Sequence, residues 1–518
     1  MAMIDFFDQG WSRNPQGAAY ILGERSYSFT EIGELSCRIA NGLLAAGFGR
    51  EARGAVWAAN DPIAWTCTLG LWRAGMAWIP VNPRASADEN FYILDAFACE
   101  AMFFQKMFAP YVDALRPRLP KVKLWICIDD EHGDAPSLAS WTQWHPATRP
   151  DVACAMDDVA AISPTGGTTG MPKGVMNTHR SMQAFIANFM IKVTYPADRP
   201  PVNLMAAPMT HTAGLLAVPC TARGGTVVVL TKPDPASMLA SIAKHRVTEV
   251  FLPPTVIYRL LDIPSIRQCD FSSLRYVLYG AAPMSVEKLK LAIDVFGPVM
   301  MGGYGQTEAP GTISFLRPEE HFVDGRLAAD ERLSSVGRPS PLVRVEILDA
   351  DRRPLAQGET GEICVRGDLV MKGYYNEPDK TAETIIDGWL HTGDVGHLDA
   401  EGYLHITDRK KDMIISGGFN VYPSEVEQVI WAHPAVQDCA VIGVPDDKWG
   451  EAVKAIVELN AGQTVAAEEL IALCKSKLGS VKAPKSIDFV GALPRSAAGK
   501  VLKKDLRQTY WAGRDRKI

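Results

Sequence analysis

Short apolar runs alternate with segments of helical periodicity along the first 150 residues, a pattern typical of a layered α/β domain. Residues 32–43 carry apolar side chains at helical spacing, and Gly47 and Gly49 mark the end of the predicted helix. Residues 55–58 and 77–81 are almost entirely apolar. We expect these two segments to be buried strands.

Nearly continuous apolar runs follow between residues 159 and 301, and they predict the central strands of a sheet that is covered on both faces. Two of these runs end in turns of small residues, at 280–283 and at 302–305. A flat ligand is able to lie against such a backbone, because no large side chain stands in the way. The predicted central strands are 159–162, 225–230, 250–252, 276–279 and 299–301.

The pattern changes past residue 330 to short alternating strands and turns, which indicate antiparallel pairing. Residues 408–412 form a charged run between two apolar segments, and we place the domain linker there. The rest of the chain predicts a small α+β domain. Its predicted elements are a helix at 424–433 with Ser424 as N-cap, a helix at 467–478, and strands at 440–444, 455–459 and 486–490.

Composition and charge favour a globular enzyme that acts on small molecules. The chain has 518 residues, too many for one core, and its formal net charge of −6 is spread without a basic patch, so no nucleic-acid surface is indicated. We find no export signal and no apolar stretch of membrane-spanning length, and we expect a cytosolic protein. The sequence does not determine its oligomeric state. The ten cysteines are widely separated, and we expect reduced, mainly buried thiols.

Residues 163–174 read Ser-Pro-Thr-Gly-Gly-Thr-Thr-Gly-Met-Pro-Lys-Gly, a composition that a hydrophobic core does not require. Glycines let backbone N–H groups approach a ligand, threonines add hydroxyl donors, and Lys173 adds a charge suited to phosphate. The Walker A pattern fails because Lys173 stands between Pro172 and Gly174, and the dinucleotide fingerprint fails on spacing. The segment alone fits either a solvated turn or a phosphate-binding loop that contains Thr165, Gly166, Gly167, Thr168, Thr169, Gly170 and Lys173.

Further polar side chains stand at the ends of predicted strands. His211 follows such a strand beside small residues, and its position fits a structural role and a pocket-lining role equally. Tyr304, Thr307 and Glu308 emerge from one turn and offer a ring for a base, a hydroxyl for a phosphate and a carboxylate for Mg²⁺. A core tyrosine and a solvated glutamate are the alternatives. Asp394 follows a tight turn, and its carboxylate is able to accept two hydrogen bonds from a ribose diol.

With these segments in this order, the chain resembles the adenylate-forming superfamily, which includes acyl- and aryl-CoA ligases, peptide-synthetase adenylation domains and beetle luciferases. The resemblance covers nearly the whole chain. It implies a large α/β N-terminal domain at 1–409, made of mixed sheets with helices and a small β-rich part. It further implies a hinge at 410–411 and a small, mobile C-terminal α+β domain at 412–518, with the active site between the two domains.

The resemblance also implies roles for single residues. The loop at 165–173 holds the β- and γ-phosphates of ATP, Glu308 holds Mg²⁺, Lys500 is the catalytic lysine, and His211 gates the passage between the acid site and the thiol tunnel. The remaining implied roles are Gly280, Ala281, Ala282 and Gly303 facing adenine, Tyr304 under the base, Thr307 at the α-phosphate, Asp394 and Arg409 at the ribose, Lys411 as the hinge, and Gly417 and Gly418 at the thiol tunnel.

The implied reaction is the ATP-dependent ligation of a small carboxylic acid to coenzyme A through an acyl adenylate. Adenylation for a carrier protein is the alternative, and no carrier domain follows Lys500 in the sequence. A nucleotide-binding protein without catalysis is a second alternative. The presence of Glu308, Asp394, Arg409 and Lys500 together argues against it.

One position departs from the family pattern, since Gly166 stands where the loop usually has serine, and we expect at most weaker ATP binding. The predicted acyl pocket contains small residues that leave room for a bulky acid, and it contains no basic side chain. These features favour a medium- or long-chain fatty acid or another large apolar acid over an aryl acid of the benzoate or cinnamate type. The pocket residues are His211, Ala213, Gly214, Phe251, Tyr279, Gly303, Pro310 and Gly311.

Overall fold

The computed structural model describes residues 1–165, 172–210, 212–409, 412–446, 448–495 and 501–511. Several predicted site residues lie outside these ranges, and their roles stay predictions. They are Gly166, Gly167, Thr168, Thr169, Gly170, His211, Lys411 and Lys500.

Helices and strands alternate along most of the described chain. The helices are α1 (Met3–Arg13), α2 (Phe29–Ala45), α3 (Pro62–Arg73), α4 (Ala87–Ala96), α5 (Ala109–Leu115), α6 (Leu138–Thr142), α7 (His179–Lys192), α8 (Thr212–Ala222), α9 (Pro235–His245), α10 (Pro254–Leu261), α11 (Val286–Phe296), α12 (Asp330–Ser334), α13 (Pro378–Thr384), α14 (Pro423–Trp431), α15 (Ala467–Lys482) and α16 (Lys503–Tyr510).

The strands are β1 (Ala18–Leu22), β2 (Arg25–Ser28), β3 (Arg53–Trp57), β4 (Ala77–Pro80), β5 (Ala101–Phe104), β6 (Leu124–Cys127), β7 (Val159–Thr165), β8 (Lys173–Thr178), β9 (Val202–Met205), β10 (Thr226–Val229), β11 (Glu249–Leu252), β12 (Tyr276–Gly280), β13 (Met300–Gln306), β14 (Ala309–Leu316), β15 (Phe322–Val323), β16 (Arg326–Leu327), β17 (Arg338–Pro339), β18 (Arg344–Leu348), β19 (Gly361–Arg366), β20 (Gly373–Tyr374), β21 (Ile385–Ile386), β22 (Trp389–Leu398), β23 (Leu404–Arg409), β24 (Ile414–Ser416), β25 (Phe419–Val421), β26 (Val436–Asp446), β27 (Gly450–Leu459) and β28 (Ser486–Val490).

Two large sheets with helices between them form most of the N-terminal part. Among the described residues, one sheet has nine strands in the order β17-β14-β13-β12-β11-β9-β10-β1-β2, and the other has seven in the order β20-β8-β7-β4-β3-β5-β6. The main hydrophobic core joins both sheets to helices that include α3, which is buried on nearly every side. Separate cores cover the outer face of each sheet. The predicted sheet with two covered faces is therefore confirmed.

The inner strands of the nine-stranded sheet are parallel, so their carboxyl ends meet at one edge. Neighbours β11, β12 and β13 pair in parallel, and they end at Leu252, Gly280 and Gln306. Ligands of open α/β sheets bind at this edge, because the loops that leave the carboxyl ends converge there. The predicted turn at 280–283 follows the end of β12, but the turn predicted at 302–305 is wrong, because these residues continue β13 as far as Gln306. Gly280 and Gly303 are paired neighbours in the two strands.

Residues after 340 form a smaller antiparallel sheet in the order β18-β19-β22-β21, with β23 paired to β22, as the alternating pattern predicted. All ten cysteines are free, and all except Cys154 and Cys269 are buried. Among the described residues, none of the helices combines the length and apolar composition that crossing a membrane requires.

The C-terminal segment has its own sheet, with β28 added to β25-β24-β27-β26, and its own core. The α+β prediction is confirmed, but Ser424 is not the N-cap of α14. Pro423 takes the first helical position, and the Ser424 hydroxyl donates to the Thr407 carbonyl. The Asp408 carboxylate accepts the Ser424 N–H at 2.9 Å, so the cap comes from an acid that precedes the predicted hinge.

Candidate active site

The predicted phosphate loop connects the two strands of an antiparallel hairpin. β7 ends at Thr165 and β8 begins at Lys173, and these two residues are directly paired. The chain therefore leaves and re-enters the sheet at one point. Pro172 precedes a strand here, whereas a P-loop or a dinucleotide fold places a helix after its glycine-rich turn.

Lys173 lies over the ring of Tyr374, with Nζ 4.0 Å from the ring centroid. Tyr374 belongs to β20, which pairs with β8 beside the loop through Val175. The ring stabilises the ammonium group without neutralising it, because the interaction is with the π face. Among the described residues, Lys173 forms no ion pair with a carboxylate. Its charge is therefore available to a phosphate.

Tyr374 also reaches Glu308, to which its hydroxyl donates a hydrogen bond of 2.9 Å at Oε1. Glu308 is 9% exposed, and its backbone carbonyl accepts the Met371 N–H at 2.8 Å. Oε2 of Glu308 accepts no hydrogen bond from the part of the chain that the structure describes. The alternative of a freely solvated Glu308 is wrong, since the side chain is buried and oriented.

Sequence reasoning missed Tyr374. Its partner Glu308 lies 66 residues earlier in the chain, and its other partner, Lys173, lies earlier still. No local sequence pattern therefore indicates the role of Tyr374. Burial and the charge of Glu308 raise the pKa of the Tyr374 phenol, so the hydroxyl stays protonated and able to donate.

Thr307 and Glu308 form the turn of the β13–β14 hairpin, between the paired residues Gln306 and Ala309. The Asn177 side chain on β8 donates to the Thr307 carbonyl at 3.2 Å and so ties this turn to the phosphate-loop hairpin. The Thr307 hydroxyl has no partner among the described residues, which leaves it available to a ligand.

The predicted adenine-facing segment requires glycine where two strands approach closely. Gly280 pairs with Gly303, and a Cβ at Gly280 would lie 2.6 Å from the Gly303 carbonyl oxygen. Ala281 has a φ of 66°, a left-handed conformation that costs a non-glycine residue about 1 kcal/mol. Such strain persists where the surrounding structure fixes it, and it is common at ligand sites.

The predicted ribose anchor, Asp394, is buried and contacts the predicted stacking residue. The Tyr304 hydroxyl donates to Asp394 Oδ2 at 2.7 Å, and Arg409 Nε lies 3.4 Å from Oδ1 across the β22–β23 ladder. Burial and the Asp394 charge raise the pKa of the Tyr304 phenol, which therefore remains a donor. Stacking of Tyr304 on a base stays a prediction, and its contact with Asp394 was not indicated by the sequence.

The described residues of the predicted acyl pocket lie on α8, β11, β12 and the β13–β14 hairpin. Gly311 has a φ of 50°, and a Cβ there would lie 3.1 Å from the ring of Phe185 and 3.9 Å from Thr212. At Gly303 a Cβ would lie 3.3 Å from Phe315. Ala213, Tyr279 and Pro310 are buried, and Phe251 is half-buried.

One expectation about this pocket is wrong, because Gly214 leaves no room for an acid. A Cβ at Gly214 would overlap the Met209 carbonyl oxygen and would lie 3.0 Å from Trp65. Gly214 therefore serves the close packing of α8 against its own N-terminal turn. The space beside it is already filled.

His321 was not predicted and contacts the pocket residue Tyr279. His321 Nδ1 lies 2.9 Å from the Arg317 carbonyl, which only accepts, so Nδ1 carries the proton and Nε2 accepts from the Tyr279 hydroxyl at 3.2 Å. Burial lowers the pKa of His321 and keeps it neutral. Tyr279 is thereby fixed in orientation.

The glycines assigned to the thiol tunnel form the tight turn between β24 and β25. Gly417 and Gly418 have φ of 60° and 83°, and the Gly417 N–H donates to the Trp449 carbonyl at 2.8 Å. On either side of the segment that contains Lys500, Arg495 and Val501 form an antiparallel bridge. Directly after it, Lys503 Nζ lies 2.8 Å from Glu427 Oε1.

Comparisons with known proteins show the family to which the chain belongs. The family model for AMP-binding enzymes matches residues 7–375, and the model for the C-terminal domain of AMP-binding enzymes matches residues 425–500. A medium/long-chain-fatty-acid–CoA ligase of Mycobacterium tuberculosis is 43% identical over 369 residues, which cover 70% of this chain and 63% of that relative. A feruloyl-CoA synthase of an Amycolatopsis species is 35% identical over 96% of each chain. The solved structure of an amide bond synthetase from Marinactinospora thermotolerans has a TM-score of 0.89 at 31% identity, covering 98% of this chain and 100% of that one.

Proposed function

The chain belongs to the AMP-binding enzyme family, and on that premise we propose that it ligates a carboxylic acid to the thiol of coenzyme A. A carboxylate oxygen attacks the α-phosphorus of ATP, and pyrophosphate leaves. The thiol sulfur then attacks the carbonyl carbon of the acyl adenylate. AMP leaves with the oxygen that bridged it to the acyl group.

One observation carries the proposal: the β13–β14 hairpin connects the candidate contacts for every part of ATP. At one end, Tyr304 contacts the proposed ribose anchor Asp394. At the turn, Glu308 contacts Tyr374, which in turn lies under Lys173 of the phosphate-loop hairpin. A nucleoside triphosphate that lies along this hairpin meets a carboxylate at its sugar and an ammonium group at its phosphates.

The proposed magnesium site fits the residues present. Among the described residues, no cluster of three His, Cys, Asp or Glu side chains would hold a metal alone, and Mg²⁺ usually binds one or two carboxylates together with substrate phosphates. Glu308 offers such a carboxylate, with Oε2 left without a protein partner by the described residues. When bound, Mg²⁺ neutralises charge on the phosphates and on the leaving pyrophosphate.

Lys173 and Lys500 supply the remaining positive charge in this proposal. Carboxylate and triphosphate repel each other, so the first step needs cations aimed at the charge that develops on the α-phosphate. Lys500 serves only this step and would obstruct thiol attack. We therefore propose that the C-terminal domain turns at the hinge around 410–411, withdraws Lys500 and brings Gly417 and Gly418 to the thiol.

For the acid, we propose a medium- or long-chain fatty acid or another bulky apolar acid. The fatty-acid–CoA ligase among the relatives supports this class, and the feruloyl-CoA synthase supports an aryl acid as the alternative. The candidate pocket carries no basic side chain among its described residues that would favour a second carboxylate. Half-buried Phe251 offers aromatic surface, whereas Phe185 and Tyr279 are buried.

The test is pyrophosphate release with ATP, Mg²⁺ and a panel of fatty, steroidal and aryl acids, each with CoA, with a carrier protein or with an amine as acceptor. We expect acid-dependent release that turns over fully only with CoA, and fastest with apolar acids. Turnover only with a carrier protein or only with an amine would show that this compound, and not CoA, is the acyl acceptor. The absence of release with every acid would contradict the proposed function.

A further inference from the structure

Tyr374 contacts two opposite charges, both of which the proposed reaction needs at the triphosphate. Lys173 Nζ lies 4.0 Å above its ring, and Glu308 Oε1 accepts its hydroxyl at 2.9 Å. An ammonium group and a carboxylate that contact the same side chain attract each other, and without the two Tyr374 contacts they would be free to form a direct ion pair. Such a pair would neutralise the cation meant for phosphate and occupy the carboxylate meant for Mg²⁺.

We propose that Tyr374 is a positioning residue that holds Lys173 and Glu308 apart and directs both to the triphosphate. The inference rests on the proposed function and deepens it. The ring face stabilises Lys173 while its N–H donors stay available to phosphate oxygens. The hydroxyl fixes one oxygen of Glu308 and leaves the other to the metal.

The surroundings hold Tyr374 rigidly enough for this task. The residue is 5% exposed, and its strand β20 pairs with β8 through Val175. Its backbone N–H donates to the Thr381 hydroxyl at 2.9 Å. At the neighbouring Gly373, φ is 146°, and a Cβ would lie 2.7 Å from Thr381 Cγ2, so the strand and α13 pack closely. The ring therefore has little freedom to leave Lys173.

Two substitutions divide the function of Tyr374 into its parts. Tyr374→Phe keeps the ring under Lys173 and removes only the hydrogen bond to Glu308. Tyr374→Leu removes both contacts and opens the path to a direct Lys173–Glu308 pair. The matched control is Tyr195→Phe, because the Tyr195 hydroxyl donates to Glu249 at 2.8 Å, and Glu249 starts β11 at the opposite edge of the sheet.

The experiment measures ATP binding by calorimetry, once with Mg²⁺ and once with excess EDTA, together with thermal unfolding of each variant. We expect Tyr374→Phe to weaken binding of MgATP about tenfold, since a hydrogen bond to a charged group is lost, and to leave ATP binding in EDTA unchanged. Tyr374→Leu should weaken both. Tyr195→Phe should alter neither, although it lowers the unfolding temperature.

The outcomes separate this inference from the proposed function. If both Tyr374 variants bind ATP like the wild type, or if Tyr374→Phe weakens binding equally with and without Mg²⁺, the positioning role is wrong. A different result would contradict the proposed function, namely that the wild-type enzyme releases no pyrophosphate with any acid. Should Tyr374→Leu not fold, Tyr374→Phe still decides the question, because it changes a single oxygen atom.

Discussion

Tyr304 and Asp394 are ninety residues apart in the chain, and the Tyr304 hydroxyl donates a hydrogen bond of 2.7 Å to Asp394 Oδ2. Arg409 lies at the other carboxylate oxygen, 3.4 Å from Oδ1. The carboxylate proposed to bind ribose is therefore fixed from two sides before any ligand arrives. A preorganised acceptor of this kind loses little orientational freedom on binding.

Replacing Asp394 with Asn should raise the KM for ATP by about ten- to a hundredfold, because charge-assisted hydrogen bonds contribute roughly twice as much as neutral ones. In the transfer of the acyl group from a supplied acyl adenylate to CoA, the rise in KM for the adenylate should be larger than the fall in kcat. The control is Asp399→Asn in the same β22–β23 hairpin, where Asp399 Oδ2 contacts His405 at 3.0 Å. An unchanged KM for ATP in Asp394→Asn would exclude Asp394 as the ribose anchor.

Gly280→Ala should abolish most ATP binding and destabilise the fold by about 1 to 3 kcal/mol, as overpacking does. The added Cβ would lie 2.6 Å from the Gly303 carbonyl, and β12 and β13 would have to separate. Gly491→Ala is the matched control, since nothing lies within 4 Å of a Cβ there. Urea unfolding and ATP titration of both variants measure the effect. Normal ATP binding by Gly280→Ala would show that the ligand does not lie against this segment.

His179 should make the stability of the enzyme depend on pH. The His179 side chain is 1% exposed, its Nδ1 accepts the Met3 N–H at 3.2 Å, and burial lowers its pKa from 6.5 to about 4. Below pH 6.5 His179 binds a proton in the unfolded chain, whereas in the folded chain it stays neutral down to about pH 4. Protonation therefore favours the unfolded state, and the stability that His179 contributes above pH 6.5 is lost as the pH falls toward 4.

Between pH 7.5 and 5.5 we expect the wild type to lose about 1 kcal/mol more unfolding free energy than His179→Gln, whose side-chain oxygen keeps an acceptor for Met3 but does not titrate. Urea unfolding at the two pH values measures the difference. Equal losses in the two proteins would mean that His179 has an ordinary pKa when folded.

Lys500→Ala should lower the rate of adenylate formation by about 10²- to 10³-fold, the usual effect of losing one electrostatic contact to a transition state. Transfer of a supplied acyl adenylate to CoA should remain nearly intact. Lys504→Ala is a suitable control, because Lys504 is an exposed lysine of the following helix. Equal loss of both half-reactions would refute the division of labour proposed for Lys500.

Sequence patterns predicted the layered α/β domain, the antiparallel part and the C-terminal α+β domain, because each follows from the spacing of apolar residues along one segment. They also predicted that residues 276–279 and 299–301 are strands of the covered sheet, and β12 and β13 are paired neighbours in it. What they missed depends on partners that are remote in sequence. Tyr374 acquires its role only where β20 pairs with β8.

Two local predictions failed for the same physical reason. Gly214 was predicted to leave room for the acid, but the fold fills that space with the Met209 carbonyl and Trp65. Ser424 has the sequence signature of a helix cap, yet its N–H is capped by Asp408. In both cases a tertiary contact determined what the residue does, and a local pattern carries no information about such contacts.

The most direct test of the account follows oxygen atoms from the acid. The enzyme is supplied with ATP, Mg²⁺, CoA and the fastest acid of the panel, labelled with ¹⁸O in its carboxyl group, and AMP and pyrophosphate are analysed by mass spectrometry. Attack of the carboxylate on the α-phosphorus predicts one ¹⁸O atom in each AMP and none in pyrophosphate. Label in a phosphate or pyrophosphate product, or AMP without label, would contradict an acyl-adenylate intermediate and with it the proposed ligase reaction.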